Sequence, residues 1–298
     1  MNGDSGGAIE ILDPHNHDET TRLNVAYDAI PPATDAVKEH PHKLQQQQLR
    51  RWGLAAGVCY TIVIATGMMA VGVQSRLLDL GSPQDTAVHL RANPLLARRG
   101  LVLDLVTGCA NVAVSILLGC IFWAAGANPV LAVMQAAFRL LQQAVLATNL
   151  LHYFAASLLL DTSLNPSFPA AAAMNSLAVT AGDDYTDPAA SLAFFFLVLH
   201  KYGHLLALVF LGVSLFLLGI LIVQDGVLAA GQWLGWVTAA AGVGYATDSM
   251  LYFLSTGYNG DVSSYLMVPV RISEFWLAGV LLFRAPTVGQ TVEDNATP

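Results

Sequence analysis

The chain has 298 residues, of which 55% are hydrophobic and only 11% charged, and its mean hydropathy is +0.54. A soluble domain carries about 25% charged residues, so a soluble globular class is excluded and lipid is the natural solvent. The formal net charge of −8 arises mainly from acids in tails and loops; no basic stripe or nucleic-acid motif is present, which excludes nucleic-acid binding.

Residues 1–50 are polar and carry Pro31, Pro32, Pro41 and the run Gln45–Gln48. They lack the apolar core of a secretory signal and predict a disordered polar tail. The His15-x-His17 and His40-x-His42 pairs within it read as solvated histidines. A membrane-spanning helix needs about 20 mostly apolar residues. Such runs fall at about 52–74, 100–124, 130–160, 191–223, 232–254 and 265–284. They predict an all-α, polytopic protein: a six-helix transmembrane bundle over 51–285, then a short tail, 286–298. Cys59, Cys109 and Cys120 lie in these runs without metal-ligand spacing and read as small buried hydrophobes.

Let side A hold the N-terminus and side B be the opposite face. Six crossings return the C-terminus to side A and put both long connections, about 75–99 and 161–190, on side B. The polar residues of the spans crowd the same side. Asp104 is near the start of span 2, and Asn149 and His152 are in the second half of span 3. His200 and His204 are in the first half of span 4. Asp248 is near the end of span 5, and Arg271 and Glu274 near the start of span 6. Arg139, Gln142 and Gln143 lie deeper. Positions three, four and seven apart share a helix face. By that rule Asp104 joins Asn111, and Arg139 joins Gln142, Gln143 and Asn149. His200 joins Gly203, His204, Ala207 and Ser214, and Tyr245 joins Asp248, Ser249 and Tyr252. Lys201, about 100° round from His200, reads as a snorkelling or packing residue. Ionisable groups inside spans are costly and mark sites. Several helices contributing at one depth predict a shared polar cavity open to side B. The competing reading is structural: intramembrane polar groups also hold helices together, with Arg271 and Glu274 as an ion pair.

These residues resemble a family of small bacterial integral-membrane proteins known only as a domain of unknown function. The likeness covers roughly residues 50–284. It rests on LRRWGLAAGVCY, RRGLVLDL, FRLLQQAVLATNLL, LHKYGHLLALVFLG, YATDSM and PVRISEFWLAGVLL in that order. Arg139, Asn149, His200, Gly203, Asp248 and Glu274 fit the family pattern, whereas His152 and His204 depart from it. So do the polar N-terminal tail and the long acidic third loop. The resemblance implies the fold and the polar positions, and no activity.

The third loop reads AGDDYTDPAA. Asp183, Asp184 and Asp187 form D-D-x-x-D, a spacing similar to the aspartate-rich signature of prenyl-diphosphate enzymes, where carboxylates hold Mg²⁺ against a diphosphate. Arg98 and Arg99, on the same side, have the chemistry to face a phosphate. Membrane prenyltransferases carry two such motifs and this chain one, so an acidic helix-capping loop competes with the Mg²⁺ reading. His152 with His200 or His204 suggests bis-histidine haem. A proton-coupled transporter or a small-molecule receptor is a further class. No serine–histidine triad, HExxH motif, Walker loop or dinucleotide fingerprint is present.

The leading expectation is a membrane enzyme performing acid/base chemistry, isomerisation or cyclisation, on a lipophilic, isoprenoid-like molecule from the bilayer. Asp248, Glu274 and His200 are its candidate catalytic groups. Asp104, Arg139, Asn149, His204, Tyr245 and Arg271 are expected to line the cavity. Cytoplasmic termini follow from the basic residues, of which side A holds Lys38, Lys43, Arg50, Arg51 and Arg284, and side B Arg76, Arg91, Arg98 and Arg99.

Overall fold

The structure, a computed structural model, describes residues 34–78, 81–160, 187–228, 231–255, 258, 260–284 and 286, and among the described residues proline opens four of seven helices. The helices are α1 (Thr34–Leu77), α2 (Pro83–Ala92), α3 (Pro94–Ala124), α4 (Pro129–Leu160), α5 (Pro188–Asp225), α6 (Gln232–Leu254) and α7 (Gly260–Phe283). Proline suits a first helical position because its missing N–H has no intrahelical partner there. Ser82 caps α2 by accepting from Asp85 N, and Asp187 caps α5 by accepting from Ala189 N and Ala190 N. The chain divides into two compact units, Met1–Gln45 and Gln46–Pro298, and the second contains the bundle.

Among the described residues, five helical stretches are long and apolar enough to cross a membrane: Lys43–Leu77, Pro94–Ala124, Pro129–Leu160, Pro188–Asp225 and Val262–Phe283. The sixth expected span is α6. Its 23 residues reach about 35 Å, longer than the roughly 30 Å hydrocarbon core. Gln232, Asp248 and its three glycines lower its hydropathy. The protein is an integral, multi-pass membrane protein.

Side-chain contacts close the six long helices into a ring. Thr66 and Thr107 hydroxyls meet at 2.7 Å and Gln74 Nε2 donates to Asp104 Oδ2 at 3.0 Å, joining α1 to α3. Arg139 joins α4 to Asn111 of α3. Ser214 Oγ donates to Gln135 O at 2.8 Å between α5 and α4. Ser273 Oγ donates to Thr238 Oγ1 at 3.0 Å between α7 and α6. The α5–α6 seam is made by glycines. A Cβ on Gly212 would stand 2.6 Å from Gly242 O, and one on Gly219 2.6 Å from Gly235 O. Both pairs are seven residues apart on antiparallel helices, so the backbones meet twice in register. Gly57, where a Cβ would stand 2.8 Å from Leu282 N, brings α1 against α7.

Two apolar clusters divide the bundle by depth. Leu118, Ile121, Phe122, Leu215, Leu218, Leu221, Leu277 and Leu281 pack in the side-A half. Leu77, Leu90, Ala97, Tyr153, Ala156, Leu160 and Leu197 pack in the side-B half. Buried polar groups lie between them.

Three features differ from expectation. The first helix begins at Thr34, upstream of the apolar run near 52. The connection over 75–99 contains α2, whose Thr86, Ala87 and Leu90 are buried. Cys109 and Cys120 are exposed and Cys59 is half-buried, although an apolar run suggested burial for all three. In lipid the outward face of a helix is as apolar as the inward one, so hydropathy does not separate them.

Candidate functional site

Arg139 is the centre of the polar layer and is 2% exposed. Its Nε and Nη2 donate to Asn111 Oδ1 at 3.1 and 2.8 Å, and its guanidinium lies 5.0 Å over the Tyr60 ring. Its Nη1 is buried without a protein partner. No carboxylate among the described residues lies within ion-pair distance of it. Across the ring, Tyr245 Oη donates to Glu274 Oε1 at 3.1 Å. The Arg139 charge acts on Glu274, Tyr245 and Tyr60, so residues of α1, α4, α6 and α7 share one electrostatic neighbourhood. One turn toward side A, Gln135 is fully buried and neither of its amide atoms has a protein partner. Buried polar atoms without partners are costly, so this layer suits a polar guest.

His204 stands above this layer on α5. His200, Gly203 and Ser214 turn one side of α5 to α4, while Lys201, Gly212 and Gly219 turn another to α6. At 100° per residue, His204 falls between those faces, in line with buried Leu211, Leu215 and Ile222. It is nevertheless exposed.

The other expected site residues divide between this polar layer and the helix seams around it. His200 lies in the α4–α5 seam, not on the inward face. It is 7% exposed, with Nδ1 3.2 Å from Asn149 O, while Asn149 Nδ2 donates to His200 O at 2.7 Å. Asp104 lies in the α1–α3 seam with Gln74. Asp248 is 5% exposed and accepts from Tyr258 Oη at 2.5 Å. Tyr258 packs edge-on to Tyr252, which accepts from Lys201 Nζ at 2.6 Å. Asp248 therefore belongs to a tyrosine-rich patch at the side-B end of α5 and α6. Arg271 is exposed and makes no ion pair with Glu274. His152 stacks on Phe196 and has Nδ1 3.2 Å from Asn149 Oδ1.

Asp183 and Asp184 lie outside the described residues. Asp187 uses Oδ1 to cap α5 and Oδ2 to accept from Arg91 Nη2 at 2.6 Å. Partial burial works to raise its pKa, but the hydrogen bond from Arg91 and those from Ala190 and Ala189 hold it below the usual carboxylate range. Both oxygens thus have protein partners, and a cation there would compete with them. No group of three His, Cys, Asp or Glu side chains converges on a metal-sized site among the described residues.

Tyr60 and Gln135 belong to the layer and were not singled out from the sequence. Gln135 had a signal, one turn before Arg139 on the same stripe. Tyr60 had none, because an aromatic in an apolar run looks like any other core residue.

No curated protein and no solved structure matches the chain. Residues 55–285, which run from α1 through the end of α7, match the family described as Domain of unknown function (DUF4386), and the chain belongs to that family.

Proposed function

We infer that this is a membrane enzyme performing acid/base chemistry on a lipophilic, isoprenoid-like substrate held in the one-sided polar chamber. The observation that carries this reading is the Tyr245–Glu274 pair at 3.1 Å beside a buried guanidinium with a free Nη1. Glu274 is the acid: it gives a proton to one carbon of the substrate, and the carboxylate so formed removes a proton from a neighbouring carbon. That exchange shifts a double bond without a co-reactant. Tyr245 positions the carboxyl, and Arg139 Nη1 holds the polar end of the substrate. Asp248 and His200, engaged with Tyr258 and Asn149, serve the frame around the chamber.

A small-molecule receptor is the second reading. The packed leucines on side A favour it over a transporter, since Leu118, Phe122, Leu218 and Leu281 fill the half through which cargo would leave. With the narrow basic excess on side A, both termini are assigned to the cytoplasm and the chamber opens on the opposite face. Mass spectrometry of lipid extracts from cells with the wild-type chain, with Glu274→Gln or with no copy tests the enzyme. A product present only with wild type supports it. Identical extracts from all three would leave the receptor.

A further inference from the structure

Outside the chamber, α1 and α7 leave a groove of ≈ 430 Å³ between them, lined by Thr61, Ile64, Ala65, Met68, Phe275, Ala278, Gly279 and Leu282. The two helices are antiparallel. They touch at the side-A end, where Gly57 meets Leu282 and Gly53 meets Pro286, while Gly72, nearer side B, has nothing within 4 Å of a would-be Cβ. The groove therefore widens toward side B and faces lipid, with Met68 65% and Phe275 59% exposed.

Arg271 stands at its upper end. Positions 271, 275, 278 and 282 recur at spacings of four, three and four, so Arg271 shares the face of α7 that lines the groove. It is exposed and has no ion pair among the described residues. It lies nine residues after Val262, the first residue of that apolar helical stretch, about 13 Å along the axis at 1.5 Å per residue. An unpaired guanidinium facing hydrocarbon at that depth is costly and needs a counter-ion. Its Cβ tilts toward the N-terminus of α7, hence toward the side-B headgroups. An apolar slot below a single cation matches an acyl chain below a phosphate.

We propose that the α1–α7 groove binds one anionic phospholipid from the bilayer, its acyl chain lying along Ile64, Met68, Phe275 and Gly279 and its phosphate held by Arg271. The site is separate from the chamber and stands whether or not the chamber is catalytic. Guanidinium–phosphate pairing is bidentate and charge-assisted. The groove would thus select lipid by headgroup charge, where an ordinary annular contact would not.

Native mass spectrometry of the full-length chain, titrated with phosphatidylglycerol or phosphatidylcholine of equal chain length, tests this. One phosphatidylglycerol is expected to bind about tenfold more tightly than phosphatidylcholine. Arg271→Gln should erase that preference and Arg271→Lys should keep part of it. Gly279→Leu should weaken both lipids, and it tests the groove without a clash because a Cβ there meets nothing within 4 Å. Arg76→Gln, an exposed cation near the side-B end of α1, should leave the preference intact. The proposal is overturned if the wild type shows no preference, if the preference survives Arg271→Gln, or if crosslinks across Met68 and Phe275 show a second copy of the chain filling the groove.

Discussion

Asn149 and His200 clasp each other across the α4–α5 seam: the asparagine amide donates to the backbone carbonyl of His200, and the imidazole Nδ1 faces the backbone carbonyl of Asn149. Each side chain thus engages the other residue's main chain, where a carbonyl already serves its own helix and has a lone pair to spare. The clasp also accounts for a glycine on α5. Gly203, one turn from His200, lies directly under the Asn149 amide, and any Cβ there would overlap it.

Gly203→Ala is therefore expected to eject the Asn149 side chain and break the clasp. The overlap falls on a side-chain tip, so the backbone survives and the loss is that of buried hydrogen bonds, about 1–3 kcal/mol. Asn149→Ala in the Gly203→Ala background should add little, because the first change has already removed the contact. Thermal unfolding of the detergent-purified single and double variants measures this. Additive losses would show the two residues to be independent.

Gly242→Ala should be costlier than an alanine elsewhere in α6, since its Cβ would run into the backbones of Gly212 and Phe216 rather than a movable side chain. Overpacking of this kind costs about 1–3 kcal/mol. Gly72→Ala, with nothing within 4 Å, should be neutral or mildly stabilising, as expected for glycine replaced inside a helix. Equal melting temperatures for the two variants would contradict the close α5–α6 approach.

The six helices were legible because run length is a property of each segment alone. Their facing was less so. Pattern put Arg139 with Gln142, Gln143 and Asn149, and Tyr245 with Asp248 and Ser249, because polar neighbours recur at helical spacing. It also put His200 on an inward face, because spacing fixes a residue's angle on its own helix but not which neighbour that angle meets. Only the Gly203–Asn149 approach settles that. Arg271 illustrates the same limit: a charge three residues from Glu274 suggested a pair, yet at 100° per residue the two side chains diverge by 60°, one toward the ring and one toward α1.

Asp187 predicts a pH dependence on side B. Its folded pKa is depressed, so its contribution to stability is present above the unfolded value, about 3.9, and is lost as pH falls through the lower folded value. Arg91 stays charged throughout. Wild type should lose melting temperature on acidification through that range. Asp187→Asn keeps a helix cap but loses the ion pair, so it should melt lower near neutral pH and converge with wild type in acid. The group is substantially exposed, with side chains 42% and 32% accessible in the Arg91–Asp187 pair, so the gap will be small. A constant gap at every pH would remove the ion pair as its cause.

Arg139 supplies the sharpest test, because structural and functional roles predict opposite signs. Two of its nitrogens bond to one neutral oxygen, that of Asn111, and a third bonds to nothing. A buried cation without a carboxylate partner bears a desolvation cost of several kcal/mol, which the Tyr60 ring, at about 1–2 kcal/mol, offsets only in part. If Arg139 exists to hold helices, removing it together with its partner should destabilise the protein by the buried hydrogen bonds lost, about 1–3 kcal/mol. If it exists to hold a guest, the empty protein should be no less stable without it. Arg139→Met alone is ambiguous, since it strands Asn111 Oδ1 at about 1–3 kcal/mol. Arg139→Met with Asn111→Leu removes both ends. That double variant is expected to melt at or above the wild-type temperature in detergent while giving the same lipid extract as cells lacking the protein. A melting temperature clearly below that of wild type, with product retained, would make Arg139 a structural post and move the search for chemistry to Asp248 and its tyrosines.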